Sequence, residues 1–223
     1  MHQNIIIVSG GRLGNPDFFQ KRMAQTGNRV LIGCDGGTRH LAAASLTPDM
    51  LVGDMDSIEP SQLAHYERSG VKIIKLPARK DFTDTALALD YALSQQPETI
   101  EIWGAQGGRM DHALANLFLL IKGKEAGIKT GLMDEYCEAF VPDGEVLFAD
   151  AIGCLVSLIA LCPRVEGVTL RGFLYTLSDE ALMMSESRGV SNIISGNPAV
   201  IRIQSGNLLV IRYWQKDVFP EAN

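Results

Sequence analysis

The sequence predicts an α/β protein with an open parallel sheet in its N-terminal part and an all-β region after it. Three observations predict this. Up to about residue 134, short apolar runs alternate with segments of helical period, as expected of parallel strands joined by helical crossovers. Beyond that point come short β-type runs punctuated by Gly, Pro and Asn, with no long helical pattern, which suggests an antiparallel sandwich or barrel. With 223 residues, the chain is long enough for one large or two modest domains. A globule of that size buries roughly 70% of the surface exposed by its unfolded chain, so it needs no cross-link.

Taken in order, residues 4–9, 30–34, 50–52, 71–76, 100–103 and 129–133 read as strands of the parallel sheet. Two helices are legible by spacing. In residues 82–94, Ala86, Leu89 and Leu93 line one face; in residues 109–122, Leu114, Leu117, Phe118 and Ile121 do so. The later runs are 145–148, 155–160, 168–170, 199–203 and 208–213, and Met183-Met184 reads as core. The texture changes within residues 134–143, giving expected domains of 1–138 and 139–223. There is no internal repeat or low-complexity tract.

Composition narrows the function classes. A net charge of −6 offers no electrostatic footprint for a nucleic-acid backbone, so a polyphosphate ligand would need metal ions and a few placed basic residues. The N-terminal apolar run, residues 5–8, is far short of a signal-peptide core, and no segment has the apolar length to span a bilayer. Cys34, Cys137, Cys154 and Cys162 form no CxxC pair; they read as reduced, mostly buried thiols, which favours a soluble cytoplasmic protein with no membrane partner.

In an open α/β sheet, ligands bind outside the carboxyl ends of the strands, and here those ends are heavily loaded. They carry SGGRLG (9–14), CDGG (34–37), GDMDS (53–57), PARKDFTD (77–84) and GAQGGRMDH (104–112). In extended backbone, Asp54 and Asp56 face one side about 6.5 Å apart at Cα, and Asp81 and Asp84, at i and i+3, share one face of a first helical turn. Four carboxylates from neighbouring strand ends suit Mg²⁺, a hard ion that takes oxygen ligands together with substrate phosphates. Gly107 and Gly108, ahead of the helix after Arg109, would offer backbone N–H groups to an anion. Arg109 and Lys80 would neutralise phosphoryl oxygens.

Each element alone has a plainer reading. Asp81 and Asp84 fit a helix cap with an acidic N3 residue. Asp54 and Asp56 fit a turn, and Asp35 a left-handed turn residue. Neither glycine cluster matches GxGxxG. His112 reads as a helix-surface histidine, and His2, His40 and His65 form no spacing that chemistry requires.

Taken together, GDMDS, KDFTD and GGRMDHALANL, preceded by DGG and followed by GVTLRGFLY and SRGVSN, resemble the thiamine pyrophosphokinase (thiamine diphosphokinase) family over nearly the whole chain. The resemblance implies a Rossmann-like parallel α/β domain followed by a C-terminal all-β sandwich. It implies transfer of a diphosphoryl group from ATP to the hydroxyl of thiamine with Mg²⁺, in a homodimer with thiamine near the dimer interface. Asp54, Asp56, Asp81 and Asp84 fall on the family's metal and phosphate aspartates, Arg109 and Asp111 on its nucleotide-site pair, and Asp35 on the aspartate of its DGG element. Ser191 and Asn192 match its thiamine-associated SN motif, and Tyr175 is the candidate aromatic partner for the vitamin. Cys34 and Phe82 depart from the pattern without touching an expected metal ligand. Two rivals stand beside this reading: a DxD-type nucleotide-sugar transferase, which leaves the DFTD and GGRMDH elements unexplained, and a non-catalytic protein that binds Mg-nucleotide.

Overall fold

Residues 3–77 and 81–214 are described by the structure, a computed structural model. The chain divides into two compact units, Met1–Glu135 and Tyr136–Asn223. In the first unit, strands β1 (Asn4–Val8), β2 (Arg29–Cys34), β3 (Met50–Gly53), β4 (Lys72–Lys75), β5 (Thr99–Trp103) and β6 (Lys129–Met133) are all parallel, in the order β6-β5-β1-β2-β3-β4. Ile5, Ile6, Ile7 and Val8 are at most 1% exposed, as expected of a central parallel strand covered on both faces. The edge strand β4 begins and ends in an exposed lysine, a charge pattern that discourages further strand pairing.

The connecting helices are α1 (Pro16–Gln25), α2 (Thr38–Ala43), α3 (Pro60–Arg68), α4 (Asp84–Ser94) and α5 (Met110–Glu125). Asn15 caps α1 by accepting from Asp17 N and Phe18 N, and Pro16 takes a first-turn position that needs no N–H donor. Thr83, and not Asp81, caps α4, its side chain accepting from Ala86 N. Asp81 therefore lies before the helix, and it does not share a first helical turn with Asp84. Ala86 and Leu89 are buried while Leu93 is only half-buried.

The orientation of α5 differs from the sequence reading. Its buried residues are Asn116, Leu120 and Gly123, whereas Met110, Leu114 and Phe118 are exposed. Gly123 explains the rotation: a Cβ there would lie 2.2 Å from Thr130 Oγ1 of β6. The helix can approach the sheet closely only through this side, which turns its apolar stripe outward.

The second unit is all antiparallel. Strands β7 (Cys137–Phe140), β9 (Leu155–Ala160), β12 (Asn192–Ile193) and β14 (Leu208–Tyr213) are ordered β12-β9-β14-β7. Strands β8 (Glu145–Phe148), β10 (Arg164–Arg171), β11 (Leu177–Met183) and β13 (Ala199–Arg202) are ordered β11-β10-β13-β8. Val156, Leu158, Leu208 and Val210 from the first group share one core with Val165, Leu170, Leu182 and Ile201 from the second. This is a sandwich, not a barrel. Leu182 fills the core, Met183 is half-buried, and Met184, one residue past the end of β11, is exposed. The predicted strands recur here, whereas β7, β11 and the two-residue β12 had too little pattern to be read. All four cysteines are free thiols, with Cys34 and Cys137 buried and Cys154 and Cys162 half-buried. Among the described residues, no helix is long and apolar enough to cross a membrane.

Candidate active site

Chain order from β1 runs outward to β4, then returns to β5 on the other side of β1. That reversal creates a crevice at the carboxyl ends of β1 and β5. The two loops there are stitched together: Ser9 N donates to Trp103 O at 2.8 Å, Gly11 N to Gly104 O at 2.7 Å and Arg12 N to Gln106 O at 2.8 Å. Gly104 is required at φ +63°, since a Cβ would sit 2.3 Å from Ser9 O. Next door, the tight turn Asp35–Gly37 follows β2, and a Cβ on Gly37 would lie 2.0 Å from Val8 O. Close backbone packing thus brings the DGG turn onto the end of β1.

On this base the carboxylates gather. Asp35, Asp54 and Asp56 each offer an oxygen within 4.8 Å of the others. Asp56 N donates to Asp54 Oδ1 at 3.3 Å, Ser57 N to Asp35 Oδ1 at 3.4 Å and Ser57 Oγ to Asp56 Oδ1 at 3.0 Å. Burial is the main cause that raises the Asp35 pKa above the usual carboxylate range; bonds from Ser57 oppose it, and the neighbouring Asp56 and Asp54 add to it. Three hard oxygen donors that repel one another are a donor set suited to a divalent cation such as Mg²⁺. Asp84 stands close by: a Cβ on Gly53 would meet both Asp35 Cβ at 2.9 Å and Asp84 Oδ1 at 3.4 Å. Asp81 is exposed in the bend before α4 and is not part of the trio. Lys80 lies outside the described residues.

The crevice encloses about 440 Å³, and its lining includes Ser9, Asp35, Arg39, Asp84, Thr85, Gly107, Gly108, Arg109, His112 and Asn116. Gly107 and Gly108 have φ of +74° and +71° and lead into the N-terminus of α5. Arg109 there grips Asp111, Nε to Oδ1 at 3.1 Å and Nη2 to Oδ2 at 2.5 Å. This bidentate bond holds the Asp111 carboxyl down at about 2. His112 is exposed at the rim.

Several lining residues escaped the sequence reading. Asn116, 6% exposed, donates to Ala105 O at 2.8 Å and so holds the glycine loop from beneath. Arg39 donates to Gly10 O, and His40 Nε2 to Gly11 O at 2.7 Å; burial lowers the His40 pKa, in keeping with a neutral ring donating to the carbonyl. The hydroxyls of Ser9 and Thr85 pair at 2.7 Å, and Cys34, buried beside Ser9 and Asp84, has its thiol pKa pushed up to about 12 by burial and then by Asp84. Position offered the one available signal: Ser9 ends the first apolar run, Arg39 follows DGG, and Asn116 lies within GGRMDHALANL.

A second cleft, of about 650 Å³, opens in the sandwich unit, walled by residues that include Leu174, Tyr175, Leu177, Arg188, Val190 and Asn192. Tyr175 is 67% exposed and Asn192 only 3%. Ser191, at φ +60°, is exposed, and its N–H donates to Ser157 Oγ at 3.0 Å. Trp214 stacks under the Arg212 guanidinium, 4.9 Å from the ring centre.

The chain is similar to known proteins over both units. Residues 22–132 match the family model for the thiamin pyrophosphokinase catalytic domain, and residues 148–210 match that for the thiamin pyrophosphokinase vitamin B1 binding domain. The thiamine pyrophosphokinase of Bacillus subtilis (strain 168) is 34% identical over 183 residues, which cover 81% of this chain and 86% of that protein. The crystal structure of the Bacillus subtilis enzyme superposes with a TM-score of 0.84 at 32% identity, covering 95% of this chain and 99% of the other. That of thiamin pyrophosphokinase from Geobacillus thermodenitrificans gives 0.79 at 29% identity, covering 97% and 100%. With both units matched in order and a relative above 30% identity over most of its length, the chain belongs to the thiamine pyrophosphokinase family.

Proposed function

We propose that the chain catalyses Mg²⁺-dependent transfer of a diphosphoryl group from ATP to the hydroxyl of thiamine, giving thiamine diphosphate and AMP. The observation that carries this reading is the convergence of Asp35, Asp54 and Asp56 beside a glycine-lined crevice at a helix N-terminus. In this reading, residues 1–138 serve ATP and metal, and residues 139–223 serve thiamine.

Asp35, Asp54 and Asp56 would hold Mg²⁺, with Asp84 beside them and Asp81 a further carboxylate in the bend before α4. When bound, the ion neutralises and polarises the phosphoryl oxygens. The Gly107 and Gly108 backbone and the first turn of α5 turn N–H groups toward the phosphates. Arg109 exchanges Asp111 for phosphate oxygens, and Lys80 adds a second cation. Asn116 and Arg12 keep the glycine loop in place, so that the donors need no rearrangement as charge develops. In the sandwich unit, Tyr175 offers an aromatic face to the thiazolium cation, beside Ser191 and Asn192. The thiamine hydroxyl oxygen bonds to the β-phosphorus as the bond from that phosphorus to the AMP oxygen breaks, and the hydroxyl proton is lost to solvent.

The homodimer and the cytoplasmic location belong to the same proposal. The outward apolar stripe of Met110, Leu114 and Phe118 is in keeping with a protein partner, and a mass near twice 24.3 kDa by sedimentation is the expected result. Four free thiols are in keeping with a reducing compartment.

The decisive experiment incubates purified protein with ATP and Mg²⁺, with and without thiamine, and measures AMP and thiamine diphosphate by chromatography. Equal amounts of both, absent without metal, are expected. Folded protein that makes no thiamine-dependent AMP would overturn the proposal and direct assays to nucleotide-sugar donors or to nucleotide binding without turnover.

A further inference from the structure

Asn192 is the most deeply buried polar side chain at the sandwich cleft, and its amide is nearly all committed. Oδ1 accepts from Tyr175 N at 3.0 Å and from Ile193 N at 2.9 Å, while Nδ2 donates to Tyr175 O at 2.7 Å. Of the two acceptor sites and two donors of a carboxamide, three are used on peptide groups, at a position only 3% exposed. The pattern has a structural logic. Segment 172–175 runs antiparallel beside 192–195: Leu174 N donates to Ile193 O at 2.8 Å, Ser195 N to Gly172 O at 2.9 Å, and Phe173 bridges Ile194. Ser191, at φ +60°, breaks the extended backbone just before Asn192. In this register the 175/192 pair is a non-hydrogen-bonded one, and the Asn192 side chain, which carries a C=O and an N–H as a peptide does, bonds both backbone atoms of Tyr175.

We infer that Asn192 is a positioning residue that acts on thiamine through Tyr175: its amide bonds both the N–H and the C=O of residue 175 and so fixes where the exposed tyrosine ring stands in the cleft. This rests on the reading of that cleft as the thiamine site. Tyr175 has little else to locate it, since its side chain is 67% exposed, and an aromatic face serves a cationic ring only when held at contact distance.

Asn192→Asp separates this role from direct contact because the two predict opposite signs. The substitution keeps one acceptor but sets a carboxylate oxygen against the Tyr175 carbonyl. If Asn192 positions Tyr175, the KM for thiamine rises about tenfold, kcat and the KM for ATP stay within about twofold, and the effect vanishes in a Tyr175→Ala background. If Asn192 instead touches the cationic vitamin, the new carboxylate lowers the KM, or the two substitutions multiply independently; either result overturns the inference. Asn192→Ser, which brings no charge into the buried position, is run beside it and is expected to show the same loss and the same dependence on Tyr175.

Amide hydrogen exchange of residues 172–176 without ligand provides a readout independent of turnover. Faster exchange in Asn192→Ser supports the inference, and unchanged exchange overturns it. Should the unsubstituted protein make no thiamine-dependent AMP, the proposed activity falls, and exchange alone decides the role of Asn192.

Discussion

The two units build their clefts by different means. In the parallel unit the crevice is made by backbone packed against backbone, at Gly37 on Val8 and Gly104 on Ser9, with charged side chains set on top. In the sandwich unit the cleft is walled largely by exposed apolar side chains, Leu174, Tyr175 and Val190, and one side-chain amide locates its principal ring. Under the proposed function the contrast is between a polyanion site built on fixed dipoles and charges and a site for a flat cationic vitamin built mainly on an aromatic surface held in place.

The largest effect that sharpens this contrast is expected at Asp54. Bound metal contributes several kcal/mol to such a transfer, so Asp54→Asn should lower thiamine-dependent AMP formation on the order of a hundredfold with thermal stability preserved. Leu174→Ala, on the apolar wall, should change the thiamine KM only about threefold. A melted Asp54→Asn protein would show instead that the aspartate is structural.

Gly37→Ala tests the backbone packing. With a new Cβ 2.0 Å from Val8 O, roughly 1–3 kcal/mol or more of stability should be lost, read as a lower denaturant midpoint. An unchanged midpoint would mean the turn is free to move, and the rigid side of the comparison would break.

Thiol chemistry distinguishes the units more gently. Cys34, buried and with its pKa raised to about 12, should be alkylated at least ~10-fold more slowly in the folded protein than half-buried Cys154 and Cys162. Equal rates, mapped by mass spectrometry, would show that the crevice floor opens readily.

The smallest effect is expected from Arg109 and Asp111. A carboxyl at about 2 in the folded protein, against ~3.9 unfolded, adds stability that is present above the unfolded value and lost as pH falls through about 2. Because the pair is exposed, this contribution is small. NMR titration should nevertheless find Asp111 returning toward ~3.9 in Arg109→Ala; an unshifted titration would mean that another group holds it down.

Legibility in the sequence followed the same division. Strand ends in a parallel sheet are marked by where apolar runs stop, so Asp35, Asp54, Asp56, Asp84 and Arg109 were readable as neighbours of those stops. The grouping itself was not: Asp35 joins Asp54 and Asp56 because Gly53 and Gly37 permit close approach, and Asp81 stays apart because Thr83 takes the cap of α4. Composition and periodicity did not reveal Asn116 or Arg39, whose roles come from bonds to loop carbonyls 11 and 29 residues away in the chain.

By itself the sequence determined the parallel α/β unit, the β-rich unit after it and the family resemblance, because strand periodicity, turn residues and short motifs are local properties of the chain. Only the tertiary structure decided which carboxylates meet, that α5 turns its apolar stripe outward to seat Gly123 on Thr130, and that the Asn192 amide is committed to Tyr175. Each of these depends on close contact between residues separated in sequence, and no local pattern encodes such a contact.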